Sequence, residues 1–156
     1  MQDGKFFNVR VYGILLNDLQ EILVAEEFHY DTFMRKFPGG GLQFGEGIKD
    51  ALIREIKEEL DEDVEGCVHF YTTDFFVRSA FNENHQVIAV YYLVKTPKSI
   101  LEKFRGDSQR ATLNGDEYFR WMPLKNVRPE DFTFPVDQQA VKLILDKVAS
   151  SSLTIL

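Results

Sequence analysis

The chain has 156 residues, of which 44% are apolar and 28% charged, and these values predict one globular domain and exclude a disordered or fibrous protein. The formal net charge of −7 excludes the basic surface that duplex-binding proteins carry. No apolar run approaches the ~20 residues of a membrane span, and the single cysteine, Cys67, excludes an internal disulfide. We therefore expect a cytoplasmic, single-domain protein over residues 1–156, with a frayed tail at residues 150–156.

The first half of the chain combines strand-like patterns with one helix. Bulky apolar residues alternate loosely over Phe6–Leu16, which predicts a strand, and Glu21–Phe28 is interpreted as its hairpin partner. A short extended segment, Thr32–Phe37, leads to a predicted loop of three consecutive glycines at residues 39–41. Apolar spacing and good helix formers over Ile48–Leu60 predict a helix.

The second half adds further strands and a closing helix. We predict strands over Val68–Arg78 and Val87–Lys95, followed by a short helical piece over Lys98–Phe104. A mobile loop over Arg105–Glu117, another strand over Tyr118–Met122 and a final helix over Val136–Ala149 complete the chain. The final helix has its apolar residues on one face. Strands mixed with one central and one terminal helix predict an α/β domain with a helix on each face of the sheet.

Three carboxylates cluster on one flank of the central helix. At 100° per residue, Glu55, Glu58 and Glu59 share an arc of about 100°, beside the apolar face that includes Leu52 and Ile56. Like charges at this spacing destabilise a helix by about 0.2–0.5 kcal/mol per pair. A divalent cation would relieve that repulsion, and Mg²⁺ prefers oxygen ligands that it shares with substrate phosphates. For this segment taken by itself, the alternative is a solvated, Glu-rich helix face.

The segment from Gly40 onwards resembles the Nudix box, whose signature is Gly-x5-Glu-x7-Arg-Glu-U-x-Glu-Glu-x-Gly-U, where U is a bulky apolar residue. The matching positions of the signature are Gly40, Glu46, Arg54, Glu55, Ile56, Glu58 and Glu59. Two positions depart from it: Asp61 stands where the final glycine belongs, and Glu62 where the last apolar residue belongs. Because that glycine ends the helix, Asp61 predicts a different helix end or a slightly longer helix.

The resemblance implies the fold and activity of the Nudix hydrolases. The implied fold is an α/β/α sandwich around a mixed sheet, and the implied activity is hydrolysis of a nucleoside diphosphate linked to another group, with Mg²⁺ or Mn²⁺ as cofactor. The implied metal ligands are three carboxylates and one backbone carbonyl, those of Glu55, Glu58, Glu59 and Gly40. Glu46 and Arg54 are expected to hold the loop to the helix.

The resemblance leaves the catalytic base open. Glu55 is one candidate, and Glu58 is counted with it among the catalytic carboxylates. Glu117 is another candidate because it follows a predicted loop, although a solvated position at the start of a strand is an equally good interpretation. Glu83 and Asp107 are weaker candidates from predicted loops.

Substrate contacts are expected from arginines and from residues near loop edges. Arginines would pair with phosphates, aromatic rings would stack on a base and an amide would hydrogen-bond the base; the candidates are Arg10, Arg35, Arg78, Phe81, Phe134 and Gln138. For the arginines the alternative is an ordinary surface position, and for the phenylalanines it is core packing. The stretch from Phe134 to Gln138 is similar to one that hydrogen-bonds the base in some Nudix proteins.

These features favour hydrolysis of the diphosphate linkage in a small nucleotide, such as a nucleoside triphosphate, ADP-ribose or a nucleotide sugar, with release of a nucleoside monophosphate or a similar product. The alternative is a non-catalytic, nucleotide-sensing module with the same fold. The expected partner is the small nucleotide, and we expect neither a nucleic acid polymer nor a membrane. The sequence leaves a homodimer open.

Overall fold

The computed structural model describes residues 4–29, 32–105, 109–110 and 117–153. One four-stranded sheet consists of β1 (Phe6–Leu15), β4 (Gly39–Gly41), β5 (Cys67–Thr72) and β6 (His85–Val94), in the order β4-β1-β6-β5. The other consists of β2 (Glu21–His29), β3 (Thr32–Lys36), β7 (Gln109–Arg110) and β8 (Glu117–Pro123), in the order β3-β2-β8-β7. The helices are α1 (Ile48–Leu60) and α2 (Pro135–Ala149), and 3₁₀ turns occur at Lys98–Ile100, Leu124–Asn126 and Pro129–Asp131.

The first sheet is mixed. β1 and β6 run parallel along their whole lengths, from the pair Phe6 and His85 to the pair Leu15 and Val94. β4 and β5 join this pair in the antiparallel sense. Parallel neighbours need a long crossover connection, and the chain between β1 and β6 supplies it together with α1. The second sheet is antiparallel throughout its described strands.

Alternate residues of the central strands face opposite helices. In β1, Tyr12 and Ile14 lie in the core beside α2, whereas Val11 and Leu15 lie in the core beside α1. β2 and β8 contribute to both cores in the same way, so strands of both sheets form one layer between the helices. The predicted α/β sandwich, with a mixed sheet and a helix on each face, is confirmed.

Two predictions for the first half of the chain were wrong. Apart from one bridge between Leu16 and Ile22, β1 and β2 lie in different sheets and form no hairpin. Both strands bury residues on both faces, and each has a neighbour on either side in its own sheet. The three glycines predicted as a loop form β4, which pairs with residues 10–12 of β1.

Several boundaries in the second half also differ from the prediction. β5 ends at Thr72 instead of Arg78, and the helical piece is confined to Lys98–Ile100. The predicted mobile loop, Arg105–Glu117, falls mostly outside the described residues, and Glu117 is the first residue of β8. In the predicted tail, the Ser152 N–H donates to the Lys147 carbonyl at 2.9 Å, and residues 154–156 lie outside the described part. None of the helices in the described ranges is both long enough and apolar enough to cross a membrane.

Candidate active site

The central helix ends where its resemblance to the Nudix box places the end, although the glycine is missing. Asp61 takes the left-handed conformation, with φ 55° and ψ 39°, and its N–H donates to the Lys57 carbonyl at 3.0 Å. Asp is one of the few side chains that adopts this conformation regularly. The Lys57 ammonium lies 3.3 Å from the Asp61 carboxylate. Both expectations, a different helix end and a longer helix, were therefore wrong.

Arg54 connects the helix to the glycine-containing loop. Its guanidinium donates to both carboxylate oxygens of Glu46 and, at 3.0 Å, to the Gly41 carbonyl. The same group donates to Glu55 at 2.8 Å and to Glu58 at 3.3 Å. The hydrogen bond from Arg54 lowers the pKa of Glu46, and the reciprocal contact raises the pKa of Arg54. Both charges are thus maintained, and Arg54 orients two of the three helix carboxylates.

The glycine strand β4 lies directly against the acidic flank of the helix. A Cβ on Gly40 would lie 2.4–2.7 Å from the three carboxyl atoms of Glu55, so only glycine allows this approach. The Gly39 N–H donates to Glu59 at 3.0 Å. Gly39 has a φ of +146°, and a Cβ there would lie 2.1 Å from the Val11 carbonyl oxygen. The backbone and the two carboxylates are therefore in immediate contact.

Behind the flank lies a partly buried group of charges, of which sequence analysis predicted only Glu117. The Lys36 ammonium lies 3.1 Å from Glu27 and 3.8 Å from Glu117. Burial, with repulsion from Glu117 and Glu55, raises the pKa of Glu59 well above its ordinary value despite Lys36. Burial also raises the pKa of Glu117, with Glu27 and Glu55 adding to the effect and Lys36 opposing it. Glu55, Glu59 and Glu117 thus repel one another across a small, poorly solvated space.

Among the described residues, no three His, Cys, Asp or Glu side chains form a ready-made metal cage. Glu55 and Glu58 are turned towards Arg54, and Glu59 is turned towards a backbone N–H. The donor set nevertheless fits a hard divalent cation, because it offers several carboxylate oxygens crowded against one another. Glu117 Oε1 is buried without a hydrogen bond, and such an orphaned acceptor is costly unless a ligand satisfies it.

A cavity of about 150 Å³ adjoins this charged group, since Lys36 and Glu27 form part of its wall. Four of the residues predicted to contact substrate also line it: Arg10, Arg78, Phe81 and Phe134. The rings of Phe81 and Phe134 meet edge to face with their centroids 6.1 Å apart. The structure therefore brings four of the predicted substrate residues together in one cavity wall.

Two other predicted substrate residues lie outside this cavity wall. Arg35 lies beside Glu26 at 3.6 Å and donates to the Asp131 carbonyl at 3.2 Å. The Gln138 amide donates to the Phe132 carbonyl at 2.8 Å. Of the weaker base candidates, Glu83 lines a separate surface groove, and Asp107 lies outside the described residues.

A second buried polar chain runs from the cavity wall to α2. Arg10 Nε donates to the Tyr12 hydroxyl at 2.6 Å, and the Tyr12 ring stacks on Tyr91 with centroids 5.4 Å apart. The Tyr91 hydroxyl donates to Asp137 at 2.6 Å. Complete burial raises the pKa of Asp137 to about 7, although Tyr91, Lys36 and Arg10 oppose the rise.

Sequence reasoning missed Lys36, Glu27 and Asp137 because their patterns have ordinary explanations. Lys36 shares a strand face with the buried Met34, and a lysine at such a position next to the glycine loop was the available signal. Glu27 resembles any charged residue of an exposed strand end. Asp137 lies in the first turn of α2, where an exposed acidic side chain already interacts favourably with the helix dipole, so its sequence position did not indicate burial.

The comparison with protein families agrees with this geometry. The family model described as the NUDIX domain matches residues 7–143. An RNA pyrophosphohydrolase of Ruthia magnifica subsp. Calyptogena magnifica is 32% identical over 85 residues, which cover 54% of this chain and 46% of that protein. The chain spans less than half the length of the curated relatives it matches.

Solved structures with similar folds include further proteins of this kind. The MutT NUDIX hydrolase from Burkholderia pseudomallei has a TM-score of 0.66 and 21% identity, covering 88% of this chain and 98% of its own. The NUDIX domain of NrtR from Shewanella oneidensis, solved with ADP ribose, has a TM-score of 0.61 and 15% identity, covering 92% and 88%. At these identities the similarity establishes the fold.

Proposed function

The chain belongs to the NUDIX family, and from that premise we propose that it hydrolyses the diphosphate linkage of a small nucleotide with the help of Mg²⁺ or Mn²⁺. The observation that carries the proposal is the contact between the glycine strand and the acidic flank of α1. A Cβ on Gly40 would overlap the Glu55 carboxylate, and the partly buried Glu59 accepts from the Gly39 N–H. A plain structural helix has no need of partly buried, mutually repelling carboxylates.

The proposed metal ligands are Glu55, Glu58, Glu59 and the Gly40 carbonyl. A bound divalent cation neutralises a diphosphate and makes a bound water more acidic. Arg54 orients Glu55 and Glu58 through its hydrogen bonds at 2.8 and 3.3 Å. Glu46 in turn holds the guanidinium of Arg54 against the loop.

We assign the role of proton acceptor to Glu117 and keep Glu55 as the alternative. Glu117 Oε1 is a buried oxygen without a hydrogen bond, so it has a lone pair for a water proton. The water oxygen forms a bond to phosphorus as the opposite P–O bond breaks, and the leaving phosphate departs with the bonding electrons. The proton of the water goes to Glu117.

The proposed substrate is a nucleoside triphosphate, ADP-ribose or a nucleotide sugar, with its base near Phe81 and Phe134 and its phosphates towards Lys36. The cavity of about 150 Å³ suits a part of a small molecule. The relatives named RNA pyrophosphohydrolase make the 5′ end of an RNA the second substrate class to assay. The net charge of −7 argues against a long surface that binds nucleic acid.

Nucleotide sensing without turnover is the competing function. It is favoured by one observation, namely that Arg54 engages two of the helix carboxylates and leaves no ready-made cage among the described residues. The domain of NrtR solved with ADP ribose shares the fold. Under either function we propose one NUDIX domain in a cytoplasmic setting, active as a monomer or homodimer.

Release of phosphate or nucleotide from a substrate panel with Mg²⁺ tests the proposal. We expect turnover by the wild type and a loss of at least about 100-fold for Glu58→Gln, because removal of one charged group that stabilises the transition state costs that order of rate. The matched control is Glu65→Gln, which changes an exposed glutamate outside α1 that pairs with Lys95 at 3.2 Å. No turnover across the panel favours the sensor, and equal turnover by Glu58→Gln contradicts the assigned roles.

A further inference from the structure

Arg10 is a partly buried cation without an acidic counter-ion. Among the described residues, no carboxylate oxygen lies within 4.0 Å of its guanidinium, whereas every other arginine named in the site has such a partner or lies at the surface. The nearest polar partner of Arg10 is the Tyr12 hydroxyl, which accepts from Nε at 2.6 Å. Removing a charge from water without pairing it is unfavourable, so the position calls for an anion.

The side chain is held in place so that its remaining N–H groups stay available. Nε is bonded to Tyr12, and the guanidinium lies 5.6 Å from the centroid of the Tyr12 ring. Tyr12 is itself fixed by its stacking on Tyr91, which donates to the buried Asp137. This chain of contacts reaches from α2 to β1 and orients the guanidinium before any ligand arrives.

The location of Arg10 connects the cavity with the acidic flank. Arg10 lines the cavity, and it pairs in register with Gly41, the residue whose carbonyl accepts from Arg54. A Cβ on Gly41 would lie 3.9 Å from Arg10 Nη1, which places this nitrogen beside the loop. A group that left the cavity towards Glu55 would therefore pass Arg10.

The cavity wall as a whole is cationic although the chain is acidic. Arg10, Lys36 and Arg78 line it, against the single carboxylate of Glu27. Lys36 is already paired with Glu27 and Glu117, and Arg78 is exposed. Arg10 is thus the partly buried member of this set that has no carboxylate oxygen within 4.0 Å among the described residues, and Glu55 and Asp137 attract its charge only from a greater distance.

We propose that Arg10 binds the phosphate group that joins the nucleoside in the cavity to the phosphate at the acidic flank. The inference deepens the proposed function and rests on it for the identity of the anion. A guanidinium fixed through Nε presents parallel N–H donors, which match two oxygens of one phosphate. A lysine at this position would supply the positive charge but not the two parallel N–H donors.

Binding of inorganic diphosphate, measured by calorimetry with and without MgCl₂, tests the role of Arg10 without requiring turnover. We expect Arg10→Gln to weaken binding about 10- to 100-fold, the range for a lost hydrogen bond to a charged group, and Arg10→Lys to fall between this variant and the wild type. The control is Arg128→Gln, an exposed arginine paired with Glu130 and Asp131, which should bind as the wild type does.

A thermal scan separates a binding role from a structural one. Because Arg10→Gln removes a partly buried charge that has no carboxylate partner, we expect its melting temperature to remain within about 2 °C of the wild type. Unchanged diphosphate binding by Arg10→Gln would overturn the inference, as would an equal loss in Arg128→Gln. Failure of the wild type to hydrolyse any nucleotide, with diphosphate binding that still depends on Arg10, would reject the proposed hydrolase and retain the anion site.

Discussion

At the scale of single residues, the glycines before α1 differ in what their missing side chains permit. At Gly40 the space of a Cβ is taken by the carboxylate of Glu55, at 2.4–2.7 Å. At Gly41 the nearest atom to such a Cβ is Arg10 Nη1 at 3.9 Å, an ordinary contact. Neither residue has a left-handed φ, so the two positions differ in space and not in backbone strain. Gly40 is the position that lets backbone and carboxylate meet.

We therefore expect Gly40→Ala to displace Glu55 and to lower nucleotide hydrolysis by at least about 100-fold, since a small misplacement of a catalytic group costs this much. Gly41→Ala has the same change in composition and should retain activity within a few-fold. Initial rates with Mg²⁺ on the best substrate of the panel provide the measurement. Equal losses in both variants would mean that the loop tolerates no side chain at all, and the particular role of Gly40 would be wrong.

The sequence predicted those site residues that lie in one continuous segment of the chain, and of those that reach the site through strand pairing it predicted only Glu117. The roles expected for Gly40, Arg54 and the helix glutamates follow from spacing along one loop and one helix, and the structure brings these residues together. Lys36 and Glu27 reach the site only through the pairing of β2 with β3, and Glu117 through the pairing of β2 with β8. Tertiary pairing of this kind leaves no periodic signal in a single sequence.

At the scale of elements, the same limit explains the wrong hairpin. The patterns of β1 and β2 correctly predicted two strands, and the short connection favoured pairing between them. Both strands instead bury alternate residues against α1 and α2, and each is completed by distant strands, β6 for β1 and β8 for β2. The local alternation of apolar residues is enough to predict a strand. Which strands become its neighbours depends on the pairing that buries both of its faces.

The contact between α2 and β6 predicts a pH dependence of stability. Asp137 is fully buried and its pKa is raised to about 7, while its reference value is 3.8. Between these two values the folded chain keeps a proton that the unfolded chain releases. The free energy of unfolding therefore falls as pH rises from about 4 to about 7, by up to about 4 kcal/mol, and the effect levels off above that.

Urea unfolding at pH 5 and pH 8 measures this dependence, with Asp137→Asn as the comparison. The asparagine cannot ionise but can still accept the hydrogen bond that Tyr91 donates at 2.6 Å. We expect the wild type to lose more stability between the two pH values than the variant does. The same loss in both proteins would show that other groups produce the pH dependence.

At the scale of the whole molecule, negative charge is concentrated where the two sheets and α1 meet. The chain carries a net charge of −7, and Glu55, Glu59 and Glu117 add mutual repulsion to it inside the fold. Lys36 and Arg54 offset part of this repulsion from either side. A dication bound at the acidic flank would offset more of it, so metal binding and global stability should be coupled.

We expect MgCl₂ at about 100 times its dissociation constant to stabilise the folded chain by about 2.7 kcal/mol. For a chain of this size that corresponds to a rise of roughly 5–10 °C in the melting temperature. Because any acidic protein responds to salt, NaCl at matched ionic strength must give a smaller rise. The combined variant Glu55→Gln, Glu58→Gln and Glu59→Gln should lose the difference between the two salts, as these residues supply the proposed ligands. If the variant keeps the full magnesium effect in differential scanning calorimetry, the ion acts on the general surface charge and the metal site assigned to α1 is wrong.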